Sequence, residues 1–452
     1  MHRLRPDDHF MVLMESDATP MHIGSLQYFE VPPEQRAGFY DTVRAALVER
    51  IAHSPLLQEL RPAPLGFDSD VWVGVASFDA GYHIQRVRET SPMNEEAVHR
   101  EVERCCQERL DLARPPFRVR VLDQLADGRC AIIMHVHHGF ADGVGFQSLL
   151  AQLYDGGAPA DAPPPENERL PPPALWLQAS AQRFQRERAL RVQSALNRRQ
   201  ALAAIKRLQA DPATRRAVTP TLGLSGATSE QRAYATFSLP LPAIKAIGRR
   251  LDGTVNDVFL TLIGTALRSY LLEIGDLPAE PLVANSARSY RRPEHGLIGN
   301  RIVAIHPHLG THLADPLQRF RAVQASMANE RQRTVYDEAL LNQPEVPFGA
   351  RDRREKIGQR VSSGGSVLPG NVSLSNVPGP AEPRFLAGFR LLANYPTPLL
   401  GNSRWMNVTL RRYGDALDFG IMVDPTKVTR IERFVELLQA ALREYSVLAE
   451  TD

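Results

Sequence analysis

The sequence predicts an α/β fold, and three observations carry that prediction. Segments of alternating apolar residues and segments with apolar residues three or four apart succeed one another in both halves of the chain. A Pro-rich stretch, Gly156 to Pro173, separates the halves. The length of 452 residues exceeds what one ordinary core organises, so two domains are expected. The expected division is 1–158, a linker and crossover segment over 159–230, and 231–452.

In the first half, Ser25 to Glu30 reads as a strand. Pro33 to Ala52 reads as a helix, because Phe39, Val43, Leu47 and Ile51 recur at spacing four. Ser91-Pro92 offers a helix start, with a charged amphipathic helix continuing from Glu95 to Leu110. Phe117 to Leu122 alternates apolar residues with arginine, a half-buried strand. Asp127-Gly128 is a hairpin turn. The return strand, Cys130 to His137, is apolar on both faces and so is expected at the centre of its sheet. Gly143 to Tyr154 then has a helical pattern, with Val144, Phe146, Leu149, Leu150 and Leu153 as its apolar side.

Beyond the linker, Ala174 to Gln209 is helical and basic: Arg183, Arg186, Arg188, Arg191, Arg198, Arg199, Lys206 and Arg207 face a single acid, Glu187. Such a helix suits an anionic membrane surface, and it equally suits a solvated crossover between domains. The second half opens with a strand over Ala233 to Leu239 and a helix over Leu241 to Leu251. A second helix starts at Thr254 and runs to about Leu272. Strands follow at Pro281 to Asn285 and Arg301 to Pro307, then a helix carrying Leu317, Phe320, Val323 and Met327. Gly370 to Ser375 leads into a strand that ends at Pro378-Gly379-Pro380. Trp405 to Leu410 and Leu417 to Val423 pair around a turn, and the helix Ile431 to Tyr445 follows.

Composition narrows the function. Hydrophobic residues make up 43% and charged residues 23%, as in an ordinary globular protein. A net charge of +2 leaves no basic excess for nucleic acid. Three cysteines make no disulfide framework and fit a reducing cytoplasm. No apolar run approaches the length of a membrane span, so membrane contact is expected to be peripheral.

The chemistry centres on His137-His138-Gly139-Phe140-Ala141-Asp142-Gly143, an HHxxxDG stretch at the mouth of the central strand. Consecutive strand residues point to opposite faces, so one imidazole faces a cleft and the other packs behind it. Imidazole is the usual general base near neutral pH. Asp142 could orient the site or pair with a distant arginine. No G-x-S-x-G elbow is present and no cysteine sits in a reactive setting, which argues against a covalent intermediate. The simplest chemistry is direct transfer from an activated acyl group to a hydroxyl. His135-Val136-His137 places two imidazoles on one strand face, as zinc sites do, but a third ligand is not visible nearby, so no metal is expected.

These residues resemble the bacterial wax ester synthase/acyl-CoA:diacylglycerol acyltransferase family, within the HHxxxDG acyltransferases that include chloramphenicol acetyltransferase and peptide-synthetase condensation domains. The resemblance covers nearly the whole chain. It runs through Asp7 to Gly24, LDLARPPFRVRVL at Leu110 to Leu122, HHxxxDG, TVNDVFL at Thr254 to Leu260, Ala287-Arg288, Gly299-Asn300 and SNVPGP at Ser375 to Pro380. Where the family usually has Pro-Leu-Trp, this chain has Pro115-Pro116-Phe117.

The resemblance implies two chloramphenicol-acetyltransferase-like domains of mixed sheets flanked by helices, with a tunnel between them. Acyl-CoA would enter from one side and a long-chain alcohol or diacylglycerol from the other, meeting at His138. His138 would be the general base and His137 its support. Asp142 would hold the loop through an ion pair with Arg288, and Gly143 would allow the turn after Asp142. Asn256, Asp257, Asn300 and Asn376 would support the site from the second half. Thr254 with Asp257 also reads as a helix capping box, and Asn300 and Asn376 also read as turn residues. The resemblance further implies no metal or covalent cofactor. It places the enzyme in the cytoplasm, peripheral at the inner membrane or lipid droplets. Related readings are a transferase using a carrier-protein-bound acyl donor or another hydroxyl acceptor, and a non-catalytic lipid-binding relative.

Overall fold

The computed structural model describes residues 1–64, 68–157, 166–186, 188–341, 369–401 and 403–451. Residues 158–165 of the Pro-rich linker lie outside them. In the first half the strands are β1 (His2–Arg3), β2 (His22–Glu30), β3 (Gln58–Arg61), β4 (Val71–Gly74), β5 (Ile84–Arg86), β6 (Phe117–Leu122) and β7 (Cys130–His137). The helices are α1 (Pro6–Met14), α2 (Phe39–Ile51), α3 (Ala80–His83), α4 (Glu95–Gln107) and α5 (Gly143–Leu153). Helices α6 (Pro173–Arg186) and α7 (Arg188–Ala210) cross to the second half. That half contains β8 (Ala233–Pro240), α8 (Leu241–Arg250), α9 (Val255–Glu273), β9 (Ala284–Ser289), β10 (Ile302–Ile305) and α10 (Pro316–Leu341). It continues with β11 (Val372–Val377), β12 (Phe385–Leu386), β13 (Phe389–Thr397), β14 (Met406–Tyr413), β15 (Ala416–Val423) and a last helix, Ile431–Thr451.

Two mixed six-stranded sheets result, with orders β12-β13-β2-β7-β6-β5 and β10-β9-β11-β14-β15-β8. β7 is central and every one of its residues is buried, as its apolar composition requires. Element starts follow local chemistry. Asn94 caps α4 by accepting from the Ala97 amide at 2.9 Å, so the helix begins three residues after Ser91-Pro92. Thr254 and Asp257 form a reciprocal capping box at the start of α9.

The first sheet does not respect the division at residue 231. β12 and β13 come from the second half, and β13 pairs antiparallel with β2 from Glu30↔Arg390 to Gly24↔Thr397. This strand escapes a periodicity reading for two reasons. A bulge between Leu391 and Ala393 breaks its alternation, and Pro396 sits inside it. A cluster containing Leu26, Tyr28, Tyr234, Leu400 and Met422 packs across the two halves.

The sheets also touch backbone to backbone. A Cβ placed on Gly420 in β15 would lie 1.7 Å from the Pro396 carbonyl oxygen of β13, while one on Gly38 would meet nothing within 4 Å. Gly420→Ala is therefore expected to lose roughly 1–3 kcal/mol of stability through overpacking. Gly38→Ala is expected to be nearly neutral, and urea unfolding of the two variants checks the contrast.

Candidate active site

β7 carries the two histidines to the end of its sheet. The His137 amide donates to the Pro116 carbonyl at 2.9 Å and the His138 amide to the Met21 carbonyl at 2.7 Å, which fixes the strand end on both sides. The His137 side chain is fully buried. Its Nδ1 accepts from the Gly139 amide at 3.0 Å, and its Nε2 lies 3.5 Å from Glu15 Oε1. An accepting Nδ1 requires the tautomer with the proton on Nε2, directed toward Glu15. Burial pushes the Glu15 acidity the other way, but the contact with His137, the Met21 amide and Arg109 outweighs it and holds the carboxyl down at about 2.

His138 faces the opposite way and lines two cavities. The smaller, about 140 Å³, includes Gly24, Val144, Asn376, Thr409 and Arg411 in its wall. The larger, about 440 Å³, is mainly apolar and includes Phe10, Met11, Met14 and Met21. Ser375, Leu399 and Asn407 also line both, so the cavities adjoin at His138. The His138 Nδ1 is buried and makes no hydrogen bond to the described residues. Burial lowers the His138 pKa below 6.5, with His137 adding to that. Its own main chain, Asp142 and Asn300 act in the opposite direction.

Asp142 is fully buried and shared between two segments. Oδ1 accepts from the Gly145 amide at 2.8 Å, capping α5. Oδ2 accepts from the Arg301 amide at 2.8 Å and pairs with the Arg291 guanidinium at 2.9 Å. The counter-charge is thus Arg291, and the expectation of Arg288 is corrected. Arg288 is exposed on β9, opposite Val303 of β10. The chain turns after Ser289, which carries Arg291 back over the loop; its guanidinium also donates to the Gly296 and Gly299 carbonyls.

Asn300 joins the same clamp. Its Nδ2 donates to the His138 carbonyl at 2.7 Å and to Asp8 Oδ1 at 2.9 Å, and its amide donates to Asp8 Oδ1 at 2.6 Å. Gly299 donates from its amide to the Phe140 carbonyl at 2.6 Å. Asp8, fully buried on α1, is a site residue that sequence reasoning passes over. Two adjacent acids in a first helical turn read as ordinary dipole compensation.

The other expected residues divide. Asn376 lines the smaller cavity and donates to Asn256 Oδ1 at 3.3 Å, which places Asn256 one step behind the wall. Asp257 accepts from the Thr254 amide and hydroxyl at 2.9 and 2.7 Å, so its contacts are those of the capping box. Gly143 does not take a left-handed turn conformation, since its φ is not positive; a Cβ there would lie 3.1 Å from a Val377 methyl, a tight contact that a small shift relieves. His135 Nε2 meets the Thr397 hydroxyl at 2.9 Å, and no group of three potential metal ligands occurs among the described residues.

Removing Arg291 leaves Asp142 buried without a counter-charge. Arg291→Ala is expected to cost roughly 3 kcal/mol or more. Arg288→Ala is expected to stay within about 0.5 kcal/mol of the parent. Denaturant unfolding of the two variants decides between the arginines.

Known proteins share this architecture. The model of the wax ester synthase/diacylglycerol acyltransferase catalytic domain matches residues 4–259, and that of the family's C-terminal domain matches 298–446. A putative diacylglycerol O-acyltransferase of Mycobacterium tuberculosis is 30% identical, over 93% of this chain and 92% of that protein. An O-acyltransferase of Acinetobacter baylyi is 25% identical over 98% of this chain and 96% of its own. Among solved structures, the wax ester synthase/diacylglycerol acyltransferase of Marinobacter aquaeolei superposes with a TM-score of 0.68 at 24% identity, covering 99% of this chain and 100% of that one. The first condensation domain of the calcium-dependent antibiotic synthetase shares the fold at a TM-score of 0.60 and 16% identity, over 99% and 96% of the two chains. With HHxxxDG at the junction of two cavities and both family models matched in order, the chain belongs to the wax ester synthase/diacylglycerol acyltransferase family and is an acyltransferase.

Proposed function

We propose that the enzyme moves a long-chain acyl group from acyl-CoA to the hydroxyl of a fatty alcohol or diacylglycerol, giving wax ester or triacylglycerol. The observation that carries this reading is the position of His138, the residue of the HHxxxDG motif that lines both cavities. Nε2 of the neutral imidazole takes the proton of the acceptor hydroxyl, and the oxygen attacks the thioester carbonyl. The carbon–sulfur bond then breaks and the leaving thiolate recovers the proton from His138. No metal, covalent cofactor or acyl-enzyme enters the scheme. Burial serves the base: a lowered pKa keeps the imidazole neutral, and therefore able to accept, into mildly acidic solution.

A lipid acceptor calls for contact with a membrane or droplet surface, at the cytoplasmic face in this reading. No described helix is long and apolar enough to cross a membrane. We propose peripheral contact through α6 and α7, which expose Leu175 and Phe184 on α6 and, on α7, Val192 and Leu196 just before the exposed Arg198 and Arg199. Arg183 is excluded from that surface, because it is engaged with the buried Asp68.

Palmitoyl-CoA with hexadecanol or a diacylglycerol, followed by thin-layer chromatography, tests the transfer. Ester is expected from the parent enzyme, with a loss of at least about 10³-fold in His138→Ala. The acid limb of kcat/KM is expected below pH 6.5, the ordinary imidazole value, since protonation of the base sets it. An acid limb above 6.5 contradicts His138 as a desolvated base. For the surface, sedimentation with anionic liposomes is expected to weaken when Arg198, Arg199, Lys206 and Arg207 are reversed in charge. Unchanged sedimentation rejects that helix as the contact.

A further inference from the structure

The larger cavity contains a charge that the mechanism does not use. Arg404 lines it and is 6% exposed. Among the described residues one side-chain hydrogen bond ties it down, from a terminal nitrogen to the Pro369 carbonyl at 3.1 Å, and its buried Nε meets no partner there. No carboxylate lies within ion-pair distance among the described residues. Burial alone acts on the guanidinium, pushing its pKa down to about 10, so it remains charged at neutral pH. Beside it, His306 lines the same cavity, and its Nδ1 is also buried without a partner. Burial above all, then Arg216 with Arg404 adding, pushes the His306 pKa down to about 4 against Glu330, which leaves a neutral imidazole.

A cation held out of water without an anion is costly, and so are orphaned polar atoms. Both costs fall if a ligand supplies the missing oxygens. The smaller cavity presents no comparable opening. Its Arg411 donates to Asn394 Oδ1 at 2.6 Å, and the Asp418 carboxylate on the neighbouring strand opposes its charge. Among the proposed substrates, fatty alcohol and diacylglycerol are uncharged. The acyl donor alone carries phosphate, on its phosphopantetheine arm.

We propose that Arg404 and His306 form a subsite for the phosphopantetheine arm of the acyl donor, which makes the larger cavity the donor side and the smaller one the acceptor side. The subsite deepens the acyl-transfer reading and rests on it. The arm's phosphate oxygens accept from the Arg404 guanidinium, and His306 lines the cavity beside it. Coenzyme A and an acyl carrier protein present the same arm, so the chemistry is shared by both donors.

The test is steady-state kinetics of the full-length enzyme with hexadecanol as acceptor and three donors: palmitoyl-CoA, palmitoyl-carrier protein and palmitoyl-pantetheine, which lacks the phosphate. The parent is expected to show a KM about tenfold or more lower for a phosphorylated donor than for palmitoyl-pantetheine. Whichever phosphorylated donor it accepts names the source of the arm. Arg404→Gln is expected to erase that preference by raising the KM of the phosphorylated donor, without raising that of hexadecanol. Arg404→Lys is expected to restore part of it, and the comparison of donors in the parent stands even if Arg404→Gln does not fold. Equal KM values with and without phosphate in the parent overturn the subsite, as does a shift confined to hexadecanol. A parent enzyme that forms no ester from any donor overturns the acyl-transfer reading instead.

Discussion

The structure depends on how one carboxylate is shared. Asp142 is fully buried, and its two oxygens meet the Gly145 amide on one side and the Arg301 amide and Arg291 guanidinium on the other. A buried carboxylate is tolerated when its charge and lone pairs are satisfied together. Here the partners come from two chain segments about 150 residues apart, as the positions Gly145, Arg291 and Arg301 show. The loop after His138 cannot close in this form unless the second half has docked. Asn300 reinforces the joint by reaching the His138 carbonyl directly. His138, the proposed general base, is thereby held where the two halves meet.

The same constraint explains the exchanged strand. β13 leaves the second half to pair with β2, the strand next to β7. Its Pro396 carbonyl then rests on Gly420 of β15, where a side chain has no room. Tyr234 of β8 donates its hydroxyl to that carbonyl at 2.8 Å. The halves are therefore joined by backbone pairing, a packed contact and the Asp142 clamp, and relative sliding would disturb all three.

Much of the site was legible in the sequence because it is local. The apolar run of β7, the consecutive histidines on opposite faces, and the helical pattern that follows Asp142-Gly143 are properties of neighbouring residues. What stayed hidden is long-range. Arg288, Arg291 and Arg292 lie within one short stretch, and only the turn after Ser289 selects Arg291. Asp8 and Asn300 are 292 positions apart, and nothing in either neighbourhood announces the contact. Gly143 looked like a turn residue, yet its φ is not positive and its near neighbour is Val377 in β11. β13 was masked by its own bulge and proline.

On these contacts, the joint between the halves positions His138. The most direct measurement is a double-mutant cycle of Asp8→Ala and Asn300→Ala, read on kcat of the folded enzymes. If the two residues act as one strut on the His138 carbonyl, each single variant loses roughly 10²-fold in kcat with KM little changed, and the double variant loses no more than either. Multiplying losses, or full kcat in Asn300→Ala, would show that His138 is positioned without the joint.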